Sequence, residues 1–449
     1  MKTLIILLIL VASSGWTQDK YFGAKSTEAL LKFEASIEVK TLRALSVDQL
    51  NGETPKASEI RSAVDHQLQF LIGHFQSESF VANFHYPGVL GDKYKFKFIA
   101  AEPKQGDSQV LRYRFEGKSV FHTNVFRHSS VVTLPLRLPA NPGMFYQLGV
   151  VNGVNRCTDK HYNSEDDLFY FWDPDIKGCP LKNNSKDVLR IEGSLERIAN
   201  TISTYPEYHR LYSLPEMRIS VFLGYIDEDP KTSRKRDYGF KTYKELGDDL
   251  KRRNFNLVEE KNFKTINYLS QFEKSFRNQL GYQQKVIINV LLSDSASDSR
   301  DTTFSSAFTE ALKNSHLVAY DGHSGLGGNL DFERFALDKL PGFYQIFFFN
   351  GCSSYPYFNN MYFSKKPAGK KNLEIITAGL PTLTSTSTDN MLAFLSPFIE
   401  GRTHSYQTIM RSLERSNADE GTYLMGVIGD EDNQFKPEGR ISPSFPEIF

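Results

Sequence analysis

The chain is poor in the residues that usually announce a function. Its 449 residues hold three cysteines and two tryptophans, and neither charge is in excess, with 53 basic residues against 53 acidic ones. A neutral chain without a polybasic stretch gives no electrostatic case for nucleic acid or for an anionic membrane surface. Beyond the first residues no apolar run approaches the ~20 residues that a membrane span needs. There are no internal repeats and no low-complexity tract. The histidines at 66, 74, 85, 122, 128, 161, 209, 316 and 404 show no metal-ligand spacing. His66 and His74 read as residues on one face of a strand.

What is present is ordinary core material. The chain is 40% hydrophobic and 24% charged, with 35 Phe and 22 Tyr, a globular balance for two or three domains. It opens with MKTLIILLILVASSGWTQDK. One lysine, an apolar run from Leu4 to Ala12 and then small residues read as a secretory signal peptide over 1–17. The expectation is an exported protein, periplasmic or secreted, with no transmembrane segment. In an oxidising compartment two of the three cysteines pair and one is left over. Cys157 and Cys179 bracket one polar, aromatic segment and are the natural pair. Cys352 is the remaining thiol. A metal site of Cys157, His161 and Cys179 is the rival for that segment, though its spacing fits no zinc pattern. Ligand binding by Phe169, Tyr170, Phe171 and Trp172 is another.

Two regions differ in pattern. Residues 18–190 read as a β-rich, sandwich-like domain, with strands at 33–42, 66–75, 94–101, 109–117 and 130–138 punctuated by Gly, Pro and Asp. After a boundary within 185–215, residues 216–430 alternate strands and helices. Strands fall at 218–226, 285–293, 316–322, 344–351 and 372–380. Helices fall at 239–255, 305–315, 330–340, 388–401 and 405–415. That order predicts a mostly parallel sheet with helices on both faces.

Ligands of an open parallel sheet sit past the carboxyl ends of its strands. The stretches HLVAYDGHSG and YQIFFFNGCSS place His323 and Cys352 there, each just beyond a buried apolar run. They lie 29 positions apart, and the chain between them makes one crossover unit, so the two strands can be neighbours. A thiol with an ordinary pKa near 8.5 is mostly protonated at neutral pH, and a histidine in reach activates it. Glycines beside both residues permit tight turns and free backbone N–H groups for an oxyanion.

These residues resemble the caspase-like cysteine peptidases, which include caspases, legumains, gingipains, clostripain, separase and the CHAT peptidases. The pattern is a hydrophobic strand ending in a histidine turn, followed by one ending in a cysteine. The stretch LEIITAGLPTLTSTSTDNMLAFLSPFIEG is similar to the fold's next strand and helix. The resemblance covers roughly 216–425. It implies a caspase-like α/β domain, His323 as general base, Cys352 as nucleophile, a thioester intermediate, a protein or peptide substrate and no cofactor. It also implies an oxyanion hole from N–H groups at Ser324 and Cys352, in a cleft bordered by Gly322, Gly325, Ser353, Ser354 and Gly379.

Other readings stand beside it. The family has glycine directly after the histidine, where this chain has Ser324, so a catalytically inactive scaffold that binds a partner is an alternative. The stretch GHSG suggests a serine hydrolase using Ser324 with His404, but the elbow's last glycine is Leu326. The run SDSASDSRD (293–301) reads as a solvated loop, with a cation such as Ca²⁺ as the alternative. The exposed run RKRD (234–237) is a candidate processing site.

Overall fold

The computed structural model describes residues 20–437, apart from 22–24, 42–43, 105–106, 159–163, 165–167, 201–203, 228–233, 263–266, 359–360 and 416–422. The signal-peptide stretch and His161 lie outside the described residues.

The first half contains β1 (Lys20–Tyr21), β2 (Ser26–Lys40), α1 (Val47–Asn51), α2 (Pro55–Gln76), α3 (Glu78–Phe84), β3 (Gly88–Lys104), β4 (Ser108–His122) and β5 (Val131–Pro139). The short α4 (Phe145–Leu148), the pair β6 (Val150–Val151) and β7 (Val154–Asn155), and β8 (Val188–Arg197) follow. One antiparallel sheet runs β3-β4-β2-β8-β5. In β2, Leu31, Phe33, Ala35, Ile37 and Val39 are buried while Lys32, Glu34, Ser36 and Glu38 are more exposed, the alternation of a sheet covered on one face. The cover is α2, whose Ile60, Val64, Leu68, Leu71 and Phe75 join the same core.

This corrects the expected sandwich, because a helix takes the place of a second sheet. The stretch 66–75 belongs to α2 and is not a strand. Its HQLQF alternates, but from Pro55 onward the apolar residues recur every three or four positions, the helical period. Thr54 caps the helix, accepting from the Ala57 N–H at 3.2 Å, with Pro55 in the first turn. His66 is therefore exposed and His74 buried, on different sides of one helix. A disulfide joins Cys157 to Cys179. It closes a loop whose Trp172 is fully buried against Phe70 and Phe145.

The second half contains α5 (Tyr208–Tyr212), β9 (Glu216–Gly224), α6 (Tyr238–Arg252), β10 (Asn256–Asn262), β11 (Tyr268–Arg277), β12 (Gln283–Ser293), α7 (Thr303–Asn314) and β13 (Leu317–Asp321). Then come β14 (Gln345–Asn350), α8 (Ser354–Phe358), α9 (Met361–Lys365), β15 (Leu373–Ala378), α10 (Ser387–Ile399), α11 (Tyr406–Arg415) and β16 (Met425–Ile428). A nine-stranded sheet runs β1-β16-β15-β14-β13-β9-β12-β11-β10.

That sheet is mixed, which corrects the expected mostly parallel caspase-like α/β domain. Only the four central pairings, from β15 to β12, are parallel. Both flanks are antiparallel, and over the whole chain antiparallel pairings predominate. The cause is local at one flank, where β11 and β12 are joined by a tight turn that only antiparallel strands allow. At the other flank β1 arrives from the far end of the chain, with Lys20 opposite Val427. The helix expected at 330–340 is also absent, since Gly325–Leu330 and Phe332–Arg334 form 3₁₀ turns. Among the described residues no helix is long and apolar enough to cross a membrane.

Alternate residues of the central strands feed two core clusters. Ile219, Val221, Ile346 and Phe348 pack with α6, α10 and α11. Phe222, Val318, Phe347 and Phe349 pack with α7, α8 and α9, and Val89 and Val120 of the first half join this second cluster.

Candidate functional site

The strands β13 and β14 are buried at every position. They pair in parallel with Asp321 opposite Asn350. Each chain then passes one glycine and reaches its reactive residue, so His323 and Cys352 occupy matching positions two residues past the pair. The glycines leave little room for a side chain. A Cβ on Gly322 would lie 2.7 Å from Tyr320 Oη and 3.2 Å from Gly224 Cα. A Cβ on Gly351 would lie 3.2 Å from the Gly322 carbonyl oxygen. The two turns are thus pressed against each other.

His323 is exposed. Its Nε2 lies 2.8 Å from the Ile226 carbonyl oxygen, which can only accept. The proton is therefore on Nε2, and the Nδ1 lone pair of the neutral ring is left to take another. Ile226 is fixed in turn, because Asp237, fully buried at the start of α6, accepts from the N–H groups of Ile226, Asp227 and Gly239. The His323 carbonyl accepts from Tyr320 Oη at 2.7 Å and Asn329 Nδ2 at 2.8 Å. Since the Tyr320 proton is used there, the Ser295 hydroxyl donates to Tyr320 at 2.8 Å.

Cys352 is half-buried and unpaired. Its Sγ lies 3.6 Å from the Thr382 carbonyl oxygen, a long, weak S–H contact. Ser353 follows with φ of +47°, a left-handed conformation costly for a residue with a side chain. It is held by its N–H on the Leu380 carbonyl and its hydroxyl on Gln76 Oε1, each at 3.1 Å. The second of these reaches across from α2. Ser354 is buried, donating to Phe349 O at 2.8 Å and accepting from Ala378 N at 2.9 Å. At Gly379 a Cβ would lie 2.5 Å from Val89 Cγ2. Of the residues expected to border a cleft, Ser353, Ser354 and Gly379 are therefore buried supports of the turn, whereas Gly325 is exposed. Tyr170 of the disulfide loop packs edge-on against Tyr357 of α8, with ring centres 4.8 Å apart.

Among the described residues, thiol and imidazole are not hydrogen-bonded to each other. The imidazole leans toward the end of β9 and the thiol toward the end of β15, with the β13–β14 rim between them. The backbone N–H groups of Ser324 and Cys352 have no acceptor among the described residues.

Ser324 and His404 are not brought together. Tyr208, which precedes the start of β9, donates to the His404 carbonyl. That is the amino edge of the parallel strands, separated from Ser324 by the ~20 Å length of α10. Cys157 and Cys179 are joined to each other, so neither thiolate is left for a metal. Among the described residues no group of three His, Cys, Asp or Glu is arranged to hold a metal ion. In the 293–301 loop, Asp294 and Asp301 accept from groups within the loop and beside it. Arg234–Arg236 form an exposed 3₁₀ turn. A cavity of about 330 Å³ beside α7, lined by Ser220, Gln271, Asn289 and Leu291, touches neither His323 nor Cys352.

Sequence reasoning missed the floor of the site. Asp321 is buried, and its carboxylate accepts from Asn350 Nδ2 at 2.6 Å. Burial pushes its pKa up to about 6, against the opposing effect of Ser387 and of the hydrogen bond from Asn350. The signal was a polar residue ending each of two otherwise apolar strands. No protein-family model matches this chain, and no curated protein matches it at a significant level.

Proposed function

We propose that this chain is an exported cysteine endopeptidase that cuts peptide bonds with Cys352 and His323. The observation that carries the reading is the matched position of the two residues past adjacent parallel strands, with the imidazole held in the tautomer that leaves Nδ1 as base. His323 takes the thiol proton and Cys352 attacks the scissile carbonyl. The N–H groups of Ser324 and Cys352 receive the oxyanion. The proton then passes to the leaving amine, and water hydrolyses the thioester. The separation of thiol and imidazole leaves the β13–β14 rim for the substrate carbonyl, and such contacts often tighten only when substrate binds.

The test is limiting alkylation of non-reduced protein, read by peptide mass spectrometry, beside a His323→Ala variant and a peptide-library screen. Cys352 is expected to alkylate rapidly below neutral pH in the parent and to slow about tenfold or more in the variant. A thiol that reacts only after unfolding, or a variant that matches the parent, sinks the reading. The second reading is an inactive scaffold that binds a protein partner. It is favoured by the missing thiol–imidazole bond and by Ser324 in place of the family's glycine.

A further inference from the structure

Beneath the two turns lies a pair that the chemistry above does not use. Asp321 ends β13 and Asn350 ends β14, both are buried, and each sits two residues before a reactive residue. Their hydrogen bond is therefore the last polar tie between the strands before the turns begin. Ser387, at the start of α10, also favours the charged form of the carboxylate. One atom is left over: Asn350 Oδ1 is buried and has no partner among the described residues. That orphan is informative. An ionised Asp321 can only accept, so it engages the Asn350 amide nitrogen and strands the amide oxygen. A protonated Asp321 carries an O–H, which pairs with the amide oxygen once the amide turns over. The amide can answer either protonation state, but the charged arrangement makes the stronger bond.

We propose that Asp321, acting through Asn350, is a positioning residue that holds the His323 and Cys352 turns in their reactive arrangement while it is ionised. The proposal rests on reading those two residues as a working pair. Asp321 makes no contact with substrate in this scheme; it sets the spacing of the strands that carry the pair. The titratable or charged groups on the elements around it include Tyr320 and His323 on its own strand and turn, Asp389 on α10, Asp237 at the cap of α6, and Lys241, Lys244 and Glu245 on its first turns. None of them is among the causes of its shift, which are burial, Ser387 and the bond from Asn350. Its titration near pH 6 falls between acidic and neutral conditions. The sign is specific. A carboxyl with a raised folded pKa favours the fold when protonated, and that contribution is lost as pH rises through the folded value. The ionised state costs stability and gains the tie.

The experiment is the rate of Cys352 alkylation by iodoacetamide in the full chain, from about pH 4.5 to about pH 8.5, for the parent and Asp321→Asn. Taking the ratio of the two rates cancels the titrations that both proteins share. The ratio is expected to stay near one in acid and to rise about tenfold with a midpoint near pH 6, the advantage of a charge-assisted bond over a neutral one. Asp321→Asn should meanwhile resist urea better than the parent at pH 8, since its buried charge is gone. The step should vanish in a His323→Ala background, where no pair is left to position. Ser387→Ala, which removes a group that favours the charged carboxylate, should move the parent's midpoint to higher pH against the same reference. A ratio flat across the range with His323 in place, at one or at any constant, overturns the proposal, as does a step that survives unchanged without His323. A Cys352 that shows the step yet cleaves no peptide sinks the peptidase reading and leaves this one standing; an inert Cys352 overturns both.

Discussion

The two turns at the rim are built by different means. The His323 turn is polar and local, its carbonyl fixed by Tyr320 and Asn329 and its ring by a carbonyl that Asp237 clamps. The Cys352 turn is braced from outside its own sheet. Gln76 of α2 holds Ser353, and Val89 of β3 packs against Gly379. A base must present one nitrogen in one direction, which directional hydrogen bonds enforce. A thiol needs mainly to be half-exposed on a turn held in an unfavourable conformation, which packing supplies. The first half of the chain is thus part of the wall behind the candidate nucleophile and has no comparable place behind the base.

The sharpest way to break this contrast is Asp237→Ala. It orphans three backbone N–H groups and removes the cap of α6, so a loss of about 4 kcal/mol in urea unfolding is expected. Imidazole-dependent labelling of Cys352 should fall with it, because the carbonyl that holds the ring is no longer placed.

Acid should instead attack the wall behind the thiol. His74, two residues before Gln76, is pushed down to about 4 by burial, against the hydrogen bond to the Pro135 carbonyl. A base whose folded pKa lies below its unfolded value gives stability above the unfolded value and loses it as pH falls toward the folded one. Between about pH 6.5 and pH 4 this site should cost about 3 kcal/mol. Urea midpoints for His74→Gln should fall less over that window than those of the parent.

The smallest effect expected is at Gly379→Ala. Its new methyl meets Val89, at a cost of about 1–3 kcal/mol. The double variant with Val89→Ala should recover most of that loss, and thermal melts of the four proteins close the cycle. Independent losses would mean that β3 does not brace this turn.

How much of this could be read from residues depends on how local each cause is. The apolar strands β9, β12, β13, β14 and β15 were visible, because burial leaves an almost unbroken hydrophobic run. The Cys157–Cys179 pair followed from counting. The helix α2 was hidden because HQLQF alternates within a window too short to show its period. The strands β10 and β11 were hidden because NLVEEKN and YLSQFEKSFR are edge-like and rich in polar residues. At the site, His323 and Cys352 were legible and their supports were not. The partner of the imidazole is a main-chain carbonyl, which has no residue signature. Gln76 and Val89 are brought in by tertiary packing alone.

The pairing of β1 with β16 has a consequence in time. Lys20 and Val427 are partners, about 400 residues apart, so the outermost strand of the large sheet emerges first from the ribosome and is seated last. At about 5–20 residues per second, β1 waits roughly 20–80 s for its neighbour. In the last seconds of that wait, after β15 has emerged and before β16, about 50 residues later, β15 is an open edge able to pair with a strand of another chain. The growing chain is therefore most exposed to association with its neighbours before it is finished. Completing the sequence, more than any single contact, closes that route.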